Sequence, residues 1–144
     1  MGEPKGRIRT MQTYEVRVAR QDAIHVQATV RDFTLQLGAK RGDAGAGFNP
    51  VETLLSAVGT CFLTALGFVA ELSHVCIDNA VMTLEATRQD RPPIVVGIRY
   101  VLQVASDLEE SRMDRIIELA KRNSTVFQTI SLAVPIEGRW VRQG

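Results

Sequence analysis

At 144 residues the chain has the commonest size for one domain and is long enough to bury a core. Seventeen basic and sixteen acidic residues leave a net charge of +1, with no run of either sign, so the basic footprint of a nucleic-acid-binding protein is missing. Two cysteines without a close spacing make neither a disulfide framework nor a four-ligand zinc site, and they suit a reducing, cytoplasmic compartment.

Residues 1–12 read as a flexible tail: glycine and proline stand among basic residues, and the apolar run of a secretory signal is absent. Residues 13–144 read as a single domain. From Tyr14 to Gly38 apolar residues alternate with polar ones (Tyr14, Val16, Val18; Ile24, Val26, Ala28, Val30; Phe33, Leu35, Leu37). Breaks near Gln21-Asp22 and Arg31-Asp32 divide the run, so three half-buried strands in an antiparallel meander are expected. Ala39 to Phe48 is glycine-rich and reads as a mobile loop; it lacks the Lys-Ser/Thr of a phosphate-binding loop.

Asn49 followed by Pro50 and Glu52 is a helix start: Asn caps free amides, Pro suits the first position, and the carboxylate opposes the positive helix end. The helix should run to about Leu72. Thr53 to Ala70 is eighteen residues without a charge, at the short end for a membrane span and interrupted by Ser, Thr and Gly. A helix apolar nearly all round is expected to be packed on most sides, and a chain of this size needs a partner subunit to complete that cover.

Val75 to Ala86 and Ile94 to Val104 alternate again and form an expected hairpin. Ser106 with Glu109 makes a capping-box pattern, and Leu108, Met113, Ile116, Ile117 and Ala120 give the next helix one apolar side, ending near Asn123. Met82 and Met113 read as core packing. Ile130, Leu132, Val134 and Ile136 suggest a last strand, with Trp140 near the terminus. The order is three strands, a buried helix, two strands, an amphipathic helix and a strand, an α+β architecture.

The segment Gly47-Phe48-Asn49-Pro50-Val51-Glu52-Thr53-Leu54-Leu55-Ser56-Ala57-Val58-Gly59-Thr60-Cys61 resembles the signature of the OsmC/Ohr family. There an Asn/Ser-Pro and a nearby Glu open a helix, and a Cys follows eleven residues after the Pro, as Cys61 follows Pro50. With the element order, the resemblance covers roughly residues 13 to 142. It implies an intertwined homodimer, central helices packed between two wrapped sheets and a site at the subunit interface. The implied activity is reduction of organic hydroperoxides by a cysteine. The chain departs from the peroxidase members in two places. Val51 stands where they have a Glu directly after the Pro, with Glu52 one place later. Where they carry a second cysteine, in a Cys-Pro motif after the second long helix, this chain reads Lys121-Arg122-Asn123-Ser124-Thr125-Val126, with Ser124 in place of the resolving thiol.

A peroxidatic cysteine must be a thiolate, formed beside positive charge or a helix N-terminus. Cys61 lies about three turns into its helix, beyond the reach of that helix's own dipole, so an arginine is expected to activate it. The resemblance implies one from the N-terminal sheet region held by Glu52, with Arg31 and Arg41 as candidates. The bland alternative is a small buried residue on a packed helix. Cys76 would be about 22 Å from Cys61 along a continuous helix at 1.5 Å per residue, against the roughly 4.4 to 6.8 Å between Cα atoms that a disulfide permits; it reads as a core or strand-edge residue. Ser124 is a candidate for hydrogen-bonding substrate or sulfenic acid, against a helix-capping role, and Phe127 for lining a pocket, against a core role. His25 and His74 share no ligand spacing, so no metal is expected, and no cofactor motif is present. Two functions follow: a peroxidase using Cys61 with an external thiol reductant, or a homodimeric binding protein that takes an apolar ligand at its interface.

Overall fold

The computed structural model describes residues 11–143. The tail expected over 1–12 lies, except for its last two residues, outside them. Contacts divide the chain into two compact units that meet at Pro50 and Val51.

In the first unit, β1 (Arg17–Arg20), β2 (His25–Val30) and β3 (Phe33–Gly38) form an antiparallel sheet in sequential order, the meander that the alternation predicts. Register places Val18, Ala28 and Leu35 in one row and Val26 beside Leu37 in the next, with Thr29 and Thr34 paired on the other face. One face is therefore apolar, and within a single chain Val18, Phe33 and Leu35 on it are 60–65% exposed. The turn between β2 and β3 puts Arg31 at φ 53°. The glycine-rich loop closes back on β3: the Gly38 amide donates to the Phe48 carbonyl at 2.9 Å, and Asp43 caps a short 3-10 turn over Ala44–Ala46 by accepting from the Gly45 amide.

The second unit holds α1 (Pro50–Leu72), the strands β4 (Asn79–Gln89), β5 (Ile94–Ala105) and β6 (Ile136–Arg142), and the helices α2 (Glu110–Asn123) and α3 (Thr125–Ser131). The helix α1 has the limits expected from Asn49-Pro50. On length and composition it could cross a membrane, but Val58, Phe62, Ala65, Leu66 and Val69 lie in one hydrophobic core with β5, α2 and α3. Its Ser56, Thr60, Thr64 and Phe68 are exposed in the single chain, so the helix is packed on one side rather than most. Across the sheet, Met82, Leu102 and Trp140 form one inward row and Leu84, Tyr100 and Gly138 the next; the outward rows carry Glu85, Arg99 and Glu137. The strand β5 pairs antiparallel with β4 and parallel with β6, and the helices α2 and α3 supply the crossover that parallel neighbours require.

Three local expectations are corrected. The strand expected from Ile130 to Ile136 begins only at Ile136. Val126, Phe127 and Ile130 instead pack against the core from a helix, where residues three and four apart share a face, and Leu132 is exposed. The Ser106–Glu109 capping box is not used, because α2 starts four residues after Ser106 and Glu109 makes no side-chain cap. Ser106 instead accepts from the Leu108 amide and donates to the Cys76 carbonyl. The strand expected from Val75 starts at Asn79. The α2 side of the sheet is tied down by the Trp140 indole, which donates to Asp114 at 2.6 Å, and by Arg142, which donates to the Leu108 carbonyl at 2.7 Å.

Candidate functional site

Cys61 sits midway along α1, next to the fully buried Phe62, and its side chain is partly buried. The groups that meet it come from the junction of α2 and α3. At Ser124 the backbone leaves the helical region (φ −97°, ψ 102°), and a new helix begins at Thr125. The first amides of any helix have no partner within it. Here the Val126 amide donates to the Cys61 sulfur at 3.4 Å.

Burial pushes the Cys61 thiol up. The Ser124 hydroxyl and the amides of Val126, Phe127 and Thr125 act in the opposite direction and outweigh it, holding the thiol below its ordinary range. These donors favour the thiolate, the form in which cysteine is a nucleophile. The helix-end donors that α1 is too long to supply thus come from α3, and this effect does not call on an arginine.

Ser124 is fully buried, and its hydroxyl has no hydrogen-bond partner among the described residues. It is the residue that ends α2 and precedes α3, and its backbone amide caps the Lys121 carbonyl, but its side chain caps neither helix. A buried hydroxyl without a partner costs about 1–3 kcal/mol. The Ser124 hydroxyl makes no hydrogen bond among the described residues, and its nearness to Cys61 is one of the influences that lower the thiol. The Phe127 ring belongs to the core, with its centroid 5.8 Å from Phe62 and 6.3 Å from Tyr100; its amide is the part that bears on Cys61.

The remaining candidates are placed as follows. Glu52 lies in the first turn of α1 and is exposed. Arg31 and Arg41 belong to the first unit; the Arg31 guanidinium stands over the Phe33 ring, 5.6 Å from its centroid, and Arg41 is exposed in the loop after β3. Cys76 is exposed between α1 and β4 rather than in the core. Its thiol donates to Asp78 at 3.3 Å, and that contact, with the negative charge of Asp78, pushes it up. Cys61 and Cys76 are both free thiols. His25 is paired with Asp22 at 3.0 Å.

Sequence reasoning did not find the amides of Thr125, Val126 and Phe127. The available signal was Asn123-Ser124-Thr125, a helix stop followed at once by a helix start, with Val126, Phe127 and Ile130 at helical spacing after it.

Comparison with known proteins agrees with this architecture. The family model described as OsmC-like protein matches residues 42–138. Among solved structures, the chain is similar to an OsmC-like protein from Mycoplasma pneumoniae, at 17% identity and a TM-score of 0.86 over 94% of this chain and 100% of that one. It is similar to an organic hydroperoxide resistance protein OsmC from Legionella pneumophila, at 18% identity and a TM-score of 0.74 over 90% and 98%. The organic hydroperoxide resistance protein OhrB of Bacillus subtilis is similar at 17% identity and a TM-score of 0.69, over 89% and 98%. No curated protein sequence matches the chain. Since the family model spans well over half of its residues, the chain belongs to the OsmC-like protein family.

Proposed function

We propose that the protein is a thiol-dependent peroxidase that reduces organic hydroperoxides at Cys61. The observation that carries this reading is the Val126 amide at the start of α3, which donates to the Cys61 sulfur at 3.4 Å, with the other donors of the α2–α3 junction helping to hold the thiol below its ordinary range. The thiolate attacks the terminal oxygen of the hydroperoxide, an S–O bond forms as the O–O bond breaks, and the alkoxide takes up a proton and leaves as the alcohol. With serine at position 124 and Cys76 exposed elsewhere, an external thiol resolves the sulfenic acid: one equivalent displaces water to give a mixed disulfide, and a second releases Cys61. Family membership, and neighbours whose names carry organic hydroperoxide resistance, support the substrate class.

In this reading Glu52 and an arginine of the N-terminal unit, Arg31 or Arg41, complete the activation of Cys61. The protein works as a homodimer, a reading supported by the apolar face of the first sheet, whose exposed Val18, Phe33 and Leu35 call for cover. A cytoplasmic site of action suits two free thiols. The test is consumption of cumene hydroperoxide by wild type and Cys61→Ser with a panel of small thiols. Turnover by the first and none by the second is expected, and a reduced wild type that consumes no peroxide would refute the proposal. An apolar groove of about 460 Å³, lined by Leu63, Leu66, Ala70, Val75, Ile77 and Ala80 among others, favours the second reading, a binding protein for an apolar ligand. Its lining includes Cys76 and not Cys61, so occupancy of the groove would be insensitive to Cys61→Ser.

A further inference from the structure

Ser124 occupies a position that packing alone does not explain. It is fully buried, and its hydroxyl finds no partner among the described residues. An unpaired buried polar group in a well-packed site asks what it pairs with in another state of the protein. Its backbone joins α2 to α3, its side chain caps neither helix, and the Val126 amide two residues on reaches the Cys61 sulfur. The hydroxyl bears on the same sulfur. An oxygen atom added to that sulfur is the one new polar group the peroxidase reading introduces there.

Building on that reading, we propose that Ser124 is the residue that holds the oxygen of oxidised Cys61, so that the protein rests after each peroxide as a persistent sulfenic acid instead of a disulfide. In the step that creates this state, the sulfur loses two electrons to the peroxide, the S–O bond forms, the O–O bond breaks, and the departing alkoxide is protonated to the alcohol. The Ser124 hydroxyl then donates to the sulfenate oxygen, or accepts from its proton when the sulfenic acid is neutral. A hydrogen bond donated to the sulfenate oxygen withdraws electron density from the group that would attack a second peroxide. Conversion to the sulfinic acid, which adds a second oxygen and is irreversible by simple thiols, is thereby slowed. Where a second cysteine would trap the sulfenic acid within the chain, a serine keeps it open to a thiol from outside.

The experiment treats reduced wild type, Ser124→Ala and Ser124→Cys with graded cumene hydroperoxide. It follows the sulfenic acid by trapping with dimedone and the products by intact mass. Wild type should give a trappable sulfenic acid at Cys61. Ser124→Ala should react more slowly with the first equivalent of peroxide, having lost one donor that favours the thiolate. Once oxidised it should lose its sulfenic acid about fivefold faster, the rate equivalent of one net hydrogen bond, and reach the sulfinic acid at lower peroxide. Its melting temperature should not fall, because the hydroxyl it loses has no partner; a clear fall would assign Ser124 a structural role and overturn the proposal. Ser124→Cys should form a disulfide with Cys61, and a variant that instead accumulates separate oxidised cysteines would show that the side chain at 124 does not reach the oxidised sulfur. If wild-type Cys61 takes no oxygen from peroxide, the peroxidase reading itself fails. If it does, and Ser124→Ala matches wild type in sulfenic-acid lifetime and sulfinic threshold, only the role of Ser124 is refuted.

Discussion

Gly138 offers a direct test of how the core beneath the candidate site is built. It pairs with Tyr100 across β5 and β6, and a Cβ added there would lie 2.4 Å from the Tyr100 carbonyl oxygen and 2.5 Å from both Cγ and Cδ2 of its ring. The carbonyl belongs to the central strand of the sheet and cannot move without disturbing its ladder. The ring is 4% exposed and packs against Phe62 and Phe127 at centroid distances of 6.1 and 6.3 Å. Gly138→Ala therefore overpacks a closed core, at a cost of about 1–3 kcal/mol. At about 3 °C per kcal/mol for a chain of this length, the melting temperature should fall by about 3–9 °C. Gly59→Ala is the control. Its Cβ meets only the Leu84 Cδ1 methyl, at 2.9 Å, which turns aside cheaply, while alanine gains about 1 kcal/mol over glycine inside a helix. Thermal unfolding followed by circular dichroism should place Gly59→Ala near wild type and Gly138→Ala well below it. Equal melting temperatures for Gly138→Ala and wild type would refute the placement of the Tyr100 ring across β6.

Phe62→Ala, which empties a fully buried site touching two other rings, should cost about 3–5 kcal/mol in urea unfolding. Iodoacetamide at neutral pH should label Cys61 ahead of the more exposed Cys76, because the first thiol is held low and the second is pushed up by Asp78; mapping the first alkylated peptide checks it, and Cys76 first would contradict it. A thiol lowered in the folded state binds fewer protons there than in the unfolded chain, so its contribution to stability is present above the ordinary value of 9.0 and is lost as pH falls through the folded value. Wild type should therefore gain stability relative to Cys61→Ser as pH rises toward 9.0, measured by parallel urea titrations. The Asp22 carboxyl is lowered first by the Ile24 amide and then by the His25 side chain. Its contribution is present above the ordinary carboxylate range and is lost as pH falls through its lowered value, so Asp22→Asn should flatten the acid limb of the stability profile.

Local pattern carried much of the fold. The alternation from Tyr14 to Gly38 marks three strands because side chains in a strand change face at every residue, and Asn49-Pro50 marks the start of α1 because a helix end has amides to cap and one position suited to proline. The same reasoning failed at Ile130 to Ile136, where a short apolar run with period two also fits a helix followed by a turn. Only the packing of Val126, Phe127 and Ile130 against the core decides between them. It failed again at Ser106, whose hydroxyl is claimed by the Cys76 carbonyl thirty residues away.

For the site, the sequence by itself determined that Cys61 is the cysteine to examine and that Ser124 stands where a second thiol was expected. It also determined that α1 is too long for its own N-terminus to activate Cys61, since rise per residue is a local property. Tertiary structure alone decided what replaces that dipole. The Val126 amide that reaches the sulfur is sixty-five residues away along the chain. It is free to do so only because the helical path breaks at Ser124 and restarts against the core. Periodicity and capping signals act over a few residues, whereas the state of a buried sulfur is set by the donors that packing brings to it from any distance along the chain.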